Sequence, residues 1–535
     1  MAVSTYHGHP LGVYLQVLLI LLGALTVRLC VSMWGYSGQG KPPMFGDLEA
    51  QRHWMEVTVN LPTSEWYVQT DRNDLQYWGL DYPPLTAYHM MLNGKIALRV
   101  NPQLVALNVS RGIEDADAKV FMRATVLLMD ALFFLPAVAA YFLLQQPKVQ
   151  PGNDFFGFVA VLAIYPGLIL IDNGHFQYNN ISLGLLVLAT LAIAQRRDFI
   201  GAVLFCCALN YKQMELYHAL PFFAYLLGSC FRTTLTAGLK KLVSLALIVL
   251  VTFAATWFPF LWTVESALAV VQRLFPVKRG LYEDKVANFW CSVSVLIKFK
   301  EKFADSDMAL ICLSVTSICL LPSFLHLLKN PTIRSFHYAL INTSLVFFLF
   351  SFHVHEKSIL LAAIPACLVV KSDPFAVVWF LLISVFSMLP LLLKDGLLIP
   401  TLATTGLFWL IVTHLLNPTR QVSPQARKIF TLSLLIAVCM VLATLFIPPP
   451  KRFPDIFPLL ISIYSCGHFF IFAGHFHLRQ FGRESFLLST SNSDGHFDSA
   501  YDASESAVPN GNNDVRKSPK EILNASKVKH RKHQK

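Results

Sequence analysis

Five short polar clusters interrupt an otherwise apolar chain, and their residue types are those that move protons, balance anions and hold sugars. The first contains Gly46-Asp47-Leu48-Glu49-Ala50-Gln51-Arg52-His53-Trp54-Met55-Glu56, then Gln76-Tyr77-Trp78-Gly79-Leu80-Asp81-Tyr82-Pro83-Pro84. The others are 172–179 with His175 and Gln177, 210–215 with Lys212, 273–285 with Arg273, Lys278 and Arg279, and His353-Val354-His355-Glu356-Lys357. A carboxylate can take a proton from an attacking hydroxyl. Histidine, lysine and arginine can balance the charge of an anion. Amides and aromatic rings offer the hydrogen bonds and stacking faces that a carbohydrate needs. Each group also has a plainer reading. Asp47 begins a helical pattern, where an N-cap is a natural role. Trp54, Tyr77, Trp78 and Tyr82 suit an interfacial aromatic belt. The 273–285 stretch suits a solvated turn, and a lone histidine such as His175 suits a satisfied structural position.

A metal is not expected. Asp115-Ala116-Asp117 has the Asp-x-Asp spacing that holds a divalent ion on a nucleotide diphosphate, but it stands in an acidic stretch beside Glu114, and such matches arise by chance. There is no glycine-rich phosphate loop after a strand. Glycosylation sequons occur at Asn108, Asn180, Asn342 and Asn524. Asn342 lies in an apolar run, Asn524 in a polar tail and Asn180 against a polar cluster, which leaves Asn108 as the expected site.

The elements that must position these clusters are membrane helices. Of 535 residues, 55% are apolar and 14% charged, against roughly 25% charged in a soluble protein. The apolar residues fall in runs near 11–27, 124–145, 155–171, 181–194, 242–262, 308–328, 336–352, 358–370, 375–393, 397–413, 430–448 and 456–474, with weaker runs at 198–209 and 214–231. Several approach the ~20 residues that cross a bilayer as helix. Period-two alternation is not evident, so helices are preferred to a barrel. The reading is an all-α polytopic protein of about 14 spans, residues 1–479, followed by a disordered cytoplasmic tail, 480–535. The first run is read as an uncleaved anchor.

Basic residues mark cytoplasmic loops: Lys148, Arg196 with Arg197, Arg232 with Lys240 and Lys241, Lys329 with Arg334, Lys371, and Arg420 with Arg427 and Lys428. The alternation then puts a long loop, 34–119, outside, together with 172–180, 210–215, 263–300, 353–357 and 394–396. Lys394, Lys451 and Arg452 also fall outside, against the rule. The mix over 46–56 suggests a helix lying in the membrane interface, and 288–300 is read as a luminal or re-entrant helix. The net charge of +11 sits largely in short loops and the tail, so no nucleic-acid partner is implied. The ten cysteines lie mostly in apolar runs and are read as small hydrophobes.

Together these clusters resemble eukaryotic dolichyl-phosphate-glucose-dependent α-1,3-glucosyltransferases. The two first-loop motifs carry most of the likeness, joined by His175-Phe176-Gln177-Tyr178-Asn179, 273–284 and Val354-His355-Glu356-Lys357, over residues 11 to about 475. The resemblance implies a GT-C type membrane fold in the endoplasmic reticulum, with the site facing the lumen. It implies an inverting transfer of glucose from dolichyl-phosphate-glucose, a co-substrate, to a dolichyl-pyrophosphate-linked oligosaccharide, without a metal. Asp47 would be the base. His355 and Lys357 would hold the donor phosphate, with Arg273, Lys278 and Arg279 behind them. Glu49, Arg52, His53, Trp54, Trp78, Asp81, Tyr82, His175 and Gln177 would meet the acceptor. The family has a first-glucose branch acting on Man9GlcNAc2 and a second-glucose branch acting on its product. The first-loop motifs resemble the former, whereas His353 stands where that branch would carry Gln. A lipid-linked sugar transporter or flippase is the competing class, but transporters usually show repeats and mid-membrane charge. A scaffold would leave the clustered acids and bases without a role. Oligomeric state is not legible.

Overall fold

The computed structural model describes residues 10–145, 152–275, 285–420 and 422–483. Among these, each of the fourteen apolar runs forms helix, and the β pairing is limited to one bridge between Thr70 and Asn73. Nine helices among the described residues are long and apolar enough to cross a membrane: Leu11–Ser32, Ala116–Leu144, Asp154–Phe176, Leu235–Phe260, Asp305–Lys329, Ile333–Phe350, Leu398–Leu415, Pro424–Phe446 and Ile456–Gln480. The other five runs are shorter helices: Asn179–Ala194, Asp198–Tyr211, Leu216–Phe231, Leu360–Leu368, and Pro374–Ser387 with Leu389–Lys394. Asn179–Ala194, Asp198–Tyr211, Leu216–Phe231 and Leu360–Leu368 each have one end at a polar cluster. Asn179–Ala194, for example, begins only after an extended Gln177.

Burial divides the helices into an inner and an outer set. The most apolar windows of Asp154–Phe176 and Ile333–Phe350 are 83% buried, against 11% for Leu235–Phe260 and 17% for Pro424–Phe446. The outer helices present Leu247, Leu250, Val251, Leu435 and Leu442 outward. That is the arrangement expected where the solvent is lipid. Charge inside the bundle is paired. Arg28 Nε lies 3.1 Å from Asp130 Oδ1, both side chains buried, and Asn173 Nδ2 donates to Asp130 Oδ2 at 2.9 Å. Asp130 and Asp172 each stand in a π-helical turn, Asp130–Phe134 and Leu170–Phe176. Such local widening is common at functional positions.

The loop over 34–119 is a packed unit. It contains helix α2 (Gly46–Asn60) and helix α3 (Pro84–Val100), with helix α1 (Pro10–Ser32) preceding them. The interfacial helix expected over 46–56 is instead a buried one, since every residue from Leu48 to Thr58 is inaccessible. α3 lies so close that a Cβ at Gly94 would come within 2.8 Å of Met55 O. Asn60 and Arg52 reach across to Val105 O and Leu104 O on the other side. Residues 288–300 form only the five-residue helix Phe289–Val293 and the start of Phe299–Lys302, not a span. Lys285 Nζ meets Asp455 Oδ1 at 2.7 Å. The turn holding Lys451 and Arg452 therefore lies at the same end as that segment, as the alternation requires despite its basic residues. The tail expected from 480 starts later than that, since Gln480 ends the helix Ile456–Gln480 and is buried against Ser323 and Asn342; residues 484–535 lie outside the described residues, as does Lys148.

Candidate active site

Asp47 is brought to His175 by a backbone contact that only glycine permits. Phe45 (φ 57°) and Gly46 (φ 75°) turn the chain through the left-handed region at the start of α2. A Cβ on Gly46 would stand 2.1 Å from Ser37 O, so the chain passes there in van der Waals contact. Ser37 N in turn donates to His175 O at 3.2 Å. The Arg123 guanidinium clamps the same pair of segments, donating to Gly35 O at 2.9 Å and Gly174 O at 2.7 Å. Two residues 128 positions apart are thereby fixed through one strand of backbone.

Asp47 is the second residue of α2 and makes no cap bond, the N-cap position being Phe45. Its side chain is one-fifth exposed. Three donors converge on one oxygen, Oδ2: Gln177 Nε2 at 2.6 Å, Lys357 Nζ at 2.5 Å and His175 Nε2 at 2.9 Å. Among the described residues no hydrogen bond reaches Oδ1. Burial opposes ionisation, but the Lys357 and His175 charges and hydrogen bonds outweigh it and hold the carboxyl well below its ordinary value. The start of α2 adds its dipole in the same sense. The result is an anchored carboxylate with one oxygen left for a proton.

Further groups line the surroundings. Lys212 Nζ bonds Asn179 Oδ1 and lies 3.4 Å from Gln177 Oε1, 5.0 Å from the Tyr82 ring centre. Burial first, then repulsion by Lys357, pushes it down to about 8. Tyr82 OH donates to Gln177 Oε1 at 3.3 Å. Lys357 Nζ is 3.3 Å from His175 Nε2, and Asp395 Oδ2 closes the other side of that ring, 2.6 Å from Nδ1. Segments 34–119, 172–180, 210–215, 353–357 and 394–396 thus meet at one place, as the sequence reading expects of a single face.

The remaining expected site residues divide sharply. Tyr82 and Trp78 are half-buried at the rim, and Asp81 lies between Leu80 and Tyr82 with its carbonyl accepting from Gln213 at 2.9 Å. His355 is half-buried, two residues before Lys357. Glu49, Arg52, His53 and Trp54 are turned inward instead. Arg52 bonds Glu49 and Glu56 at 2.7 and 2.8 Å, His53 Nδ1 faces Glu56 at 3.2 Å, and Trp54 donates to Trp78 O at 2.8 Å beneath the Tyr82 ring. Their burial corrects the expectation of direct sugar contact, because their polar atoms serve the loop. Arg273 donates to Gly79 O and Leu80 O at 2.7 and 3.1 Å, tying its helix to the turn that carries Trp78. Lys278 and Arg279 lie outside the described residues. Asn108 is exposed, whereas Asn180 and Asn342 are fully buried. Asp115 accepts from Ala118 N at 2.6 Å as the cap of its helix, which accounts for one half of the Asp-x-Asp match.

Sequence reasoning did not select Asp395 or Lys212. Lys212 stood in a cluster already marked. The signal for Asp395 was an acid in a two- or three-residue outer turn, which is too short to stand out.

A model described as the ALG6, ALG8 glycosyltransferase family matches residues 19–475. A Gallus gallus protein named dolichyl pyrophosphate Man9GlcNAc2 alpha-1,3-glucosyltransferase is 47% identical over 480 residues, which covers 85% of this chain and 94% of that protein. A Drosophila melanogaster protein named as a probable enzyme of that kind is 48% identical over 450 residues, covering 84% and 94%. A Mus musculus protein bearing the Gallus name is 46% identical over 484 residues, covering 86% and 95%.

Proposed function

Because this chain belongs to the ALG6, ALG8 glycosyltransferase family, we propose that it transfers glucose from dolichyl-phosphate-glucose to dolichyl-pyrophosphate-linked Man9GlcNAc2. The product linkage is α-1,3, formed with inversion. The acceptor is the one in the names of the similar proteins. The observation that carries the chemistry is Asp47: one oxygen held by three donors, the other unbonded, beside two basic side chains. The acceptor hydroxyl oxygen attacks the anomeric carbon as the bond from that carbon to the phosphate oxygen breaks. Asp47 Oδ1 takes the hydroxyl proton, and the leaving dolichyl phosphate keeps the electron pair. Lys357 turns from Asp47 toward that phosphate, with His355, two residues before it, and Lys212 as further donors. Arg273 acts from behind, through the turn at Gly79. Lys278 and Arg279 belong to the same basic stretch. Trp78, Asp81 and Tyr82 form the acceptor rim, and Gln177 and His175 orient the base. A phosphate monoester leaving group facing lysines needs no metal, so the proposed reaction has no cofactor.

The same reading makes the five shorter apolar helices membrane-embedded, which gives about 14 spans in a GT-C arrangement. It sets the site at the luminal face of the endoplasmic reticulum membrane, with a glycan on Asn108 and residues 484–535 as a cytoplasmic tail. The test uses purified protein, both lipid-linked substrates and EDTA, and follows the acceptor by mass. A gain of one hexose with wild type, and none with folded Asp47→Asn, is the expected result. A gain only when the acceptor already carries one glucose would move the chain to the second-glucose activity. Movement of lipid-linked sugar across vesicles without transfer would make it a transporter.

A further inference from the structure

The carboxylate of Asp395 has no part in the transfer just described, yet it is buried against His175, the ring whose other nitrogen meets Asp47. It stands in the turn after Leu389–Lys394 with its side chain 2% exposed. Its Oδ2 is 2.6 Å from His175 Nδ1, while Nε2 of the same ring is 2.9 Å from Asp47 Oδ2. The turn is fixed from three sides. Asp395 N donates to Leu391 O at 3.2 Å, and Lys41 Nζ reaches Lys394 O at 3.4 Å. Leu397 packs on Gly174 so closely that a Cβ there would lie 2.8 Å from it. A buried carboxylate at a membrane border is costly unless paired, and the partner here is one imidazole nitrogen. Ionised carboxylates only accept hydrogen bonds. With one on each side of the ring, each nitrogen has a carboxylate to donate to; Lys357 Nζ, 3.3 Å from Nε2, has Asp47 Oδ2 nearer, at 2.5 Å.

The geometry points to Asp395 as a positioning residue for the transfer: by holding a proton on His175 Nδ1 it keeps the ring a cation aimed at Asp47, and so sets the pH range in which Asp47 serves as base. The inference rests on Asp47 being that base. The charges that face His175 are Asp47 from α2, Lys357 from the 353–357 turn, Asp395, and Arg123 through Gly174 O. Lys212 acts one step away through Gln177. Asp172 is turned to Asn179 and the Asn180 amide, at 2.6 and 2.7 Å. Asparagine at 395 can donate to Nδ1, so the ring would keep its place as the neutral tautomer with its proton on Nε2. Asp47 would then lose a neighbouring cation and rise toward its ordinary value.

The experiment is the pH profile of kcat/KM for glucose transfer by the purified full chain, in wild type, Asp395→Asn, His175→Gln and the double variant. Asp395→Asn is expected to move the acid limb upward by about one pH unit, equivalent to a tenfold loss on that limb, through kcat with the donor KM retained. His175→Gln, which can still donate to Asp47 but carries no charge, is expected to show the same shifted limb, and the double variant no further shift. Asp395→Glu is expected to keep the wild-type limb. An unmoved limb in Asp395→Asn, or shifts that add in the double variant, overturns the inference and leaves Asp395 a packing group. Should the asparagine variant not fold, Asp395→Ser replaces it, and a wild-type limb there is equally fatal. Failure of the Asp47 reading shows separately, as wild-type turnover that Asp47→Asn retains.

Discussion

α2 carries two charged clusters within three turns of helix, and they are built in opposite ways. Around Arg52 every carboxylate oxygen is engaged. Glu49 accepts from Arg52 on both oxygens and from Tyr77 on one. Glu56 accepts the Asn108 amide on one oxygen and Arg52 and Ser110 on the other. Arg52 itself also binds Leu104 O and Ser110 Oγ at 2.8 and 2.6 Å, so the cluster closes on itself and welds α2 to the 102–110 segment. Around Asp47 the donors crowd a single oxygen and the other faces outward. The first arrangement converts charge into scaffold, because removing any member strands a buried partner. The second holds a charge in place and leaves it something to do. On this helix charge alone does not distinguish the two clusters, whereas the count of satisfied oxygens does.

The comparison breaks most visibly at Asp47. Asp47→Asn keeps the shape of the side chain and the fold but removes the base, and transfer is expected to fall by about 10²–10⁴-fold, the usual contribution of a general base. A melting curve close to wild type must accompany the loss. Arg52→Met is the converse: it leaves two buried carboxylates unpaired, at a cost of about 3–5 kcal/mol. Yield and melting temperature should drop while the turnover of molecules that remain folded stays near wild type. If Arg52→Met instead leaves stability intact and abolishes turnover, the closed cluster is a substrate site after all. A smaller effect sharpens the open cluster. Gln177→Ala removes one of three donors to Asp47 Oδ2, and a lost hydrogen bond to a charged group is worth about 1.5–3 kcal/mol. Turnover should fall by roughly ten- to a hundredfold, mainly in kcat.

The two clusters also show where sequence reading stops. Among the described residues, apolar runs located the nine helices long and apolar enough to cross a membrane, because burial in lipid demands composition, and composition is local. The meeting of the first loop with 172–180, 210–215 and 353–357 was legible as well, since basic loops set the alternation. Which acids on α2 are free was not. Asp47, Glu49 and Glu56 present the same residue types at helical spacing to bases on the same helix, and the difference lies in the 102–110 segment closing over one group and not the other. The interfacial reading of α2 failed for the same reason. Its mixed face looked amphipathic, but the partners covering that face come from α3 and from 104–110, and no pattern within 46–60 records them. Asp395 was hidden because its meaning depends on His175, 220 positions away.

The last test separates the clusters by what each titrates. For Glu56, burial opposes ionisation, but the His53 hydrogen bond and the Arg52 charge hold the folded value at about 2, below its ordinary 4.5. Its contribution to stability is therefore complete above 4.5 and fades as pH falls toward 2. Asp47 is also held low, so the folded enzyme keeps its base ionised from neutral pH down past 3.8, and the rate per folded molecule should be flat over that range as far as Asp47 decides it. Lys357→Gln removes the main cation beside Asp47 and should raise the acid limb of the rate, leaving the acid slope of the melting temperature where it was. Arg52→Met should do the reverse, moving the melting slope up toward 4.5 without moving the limb. Both profiles, read on the same preparations by thermal melting and by hexose transfer, would show the two clusters titrating independently. A variant that shifted both would mean that the clusters on α2 are one electrostatic unit, and that the closed network reaches the base after all.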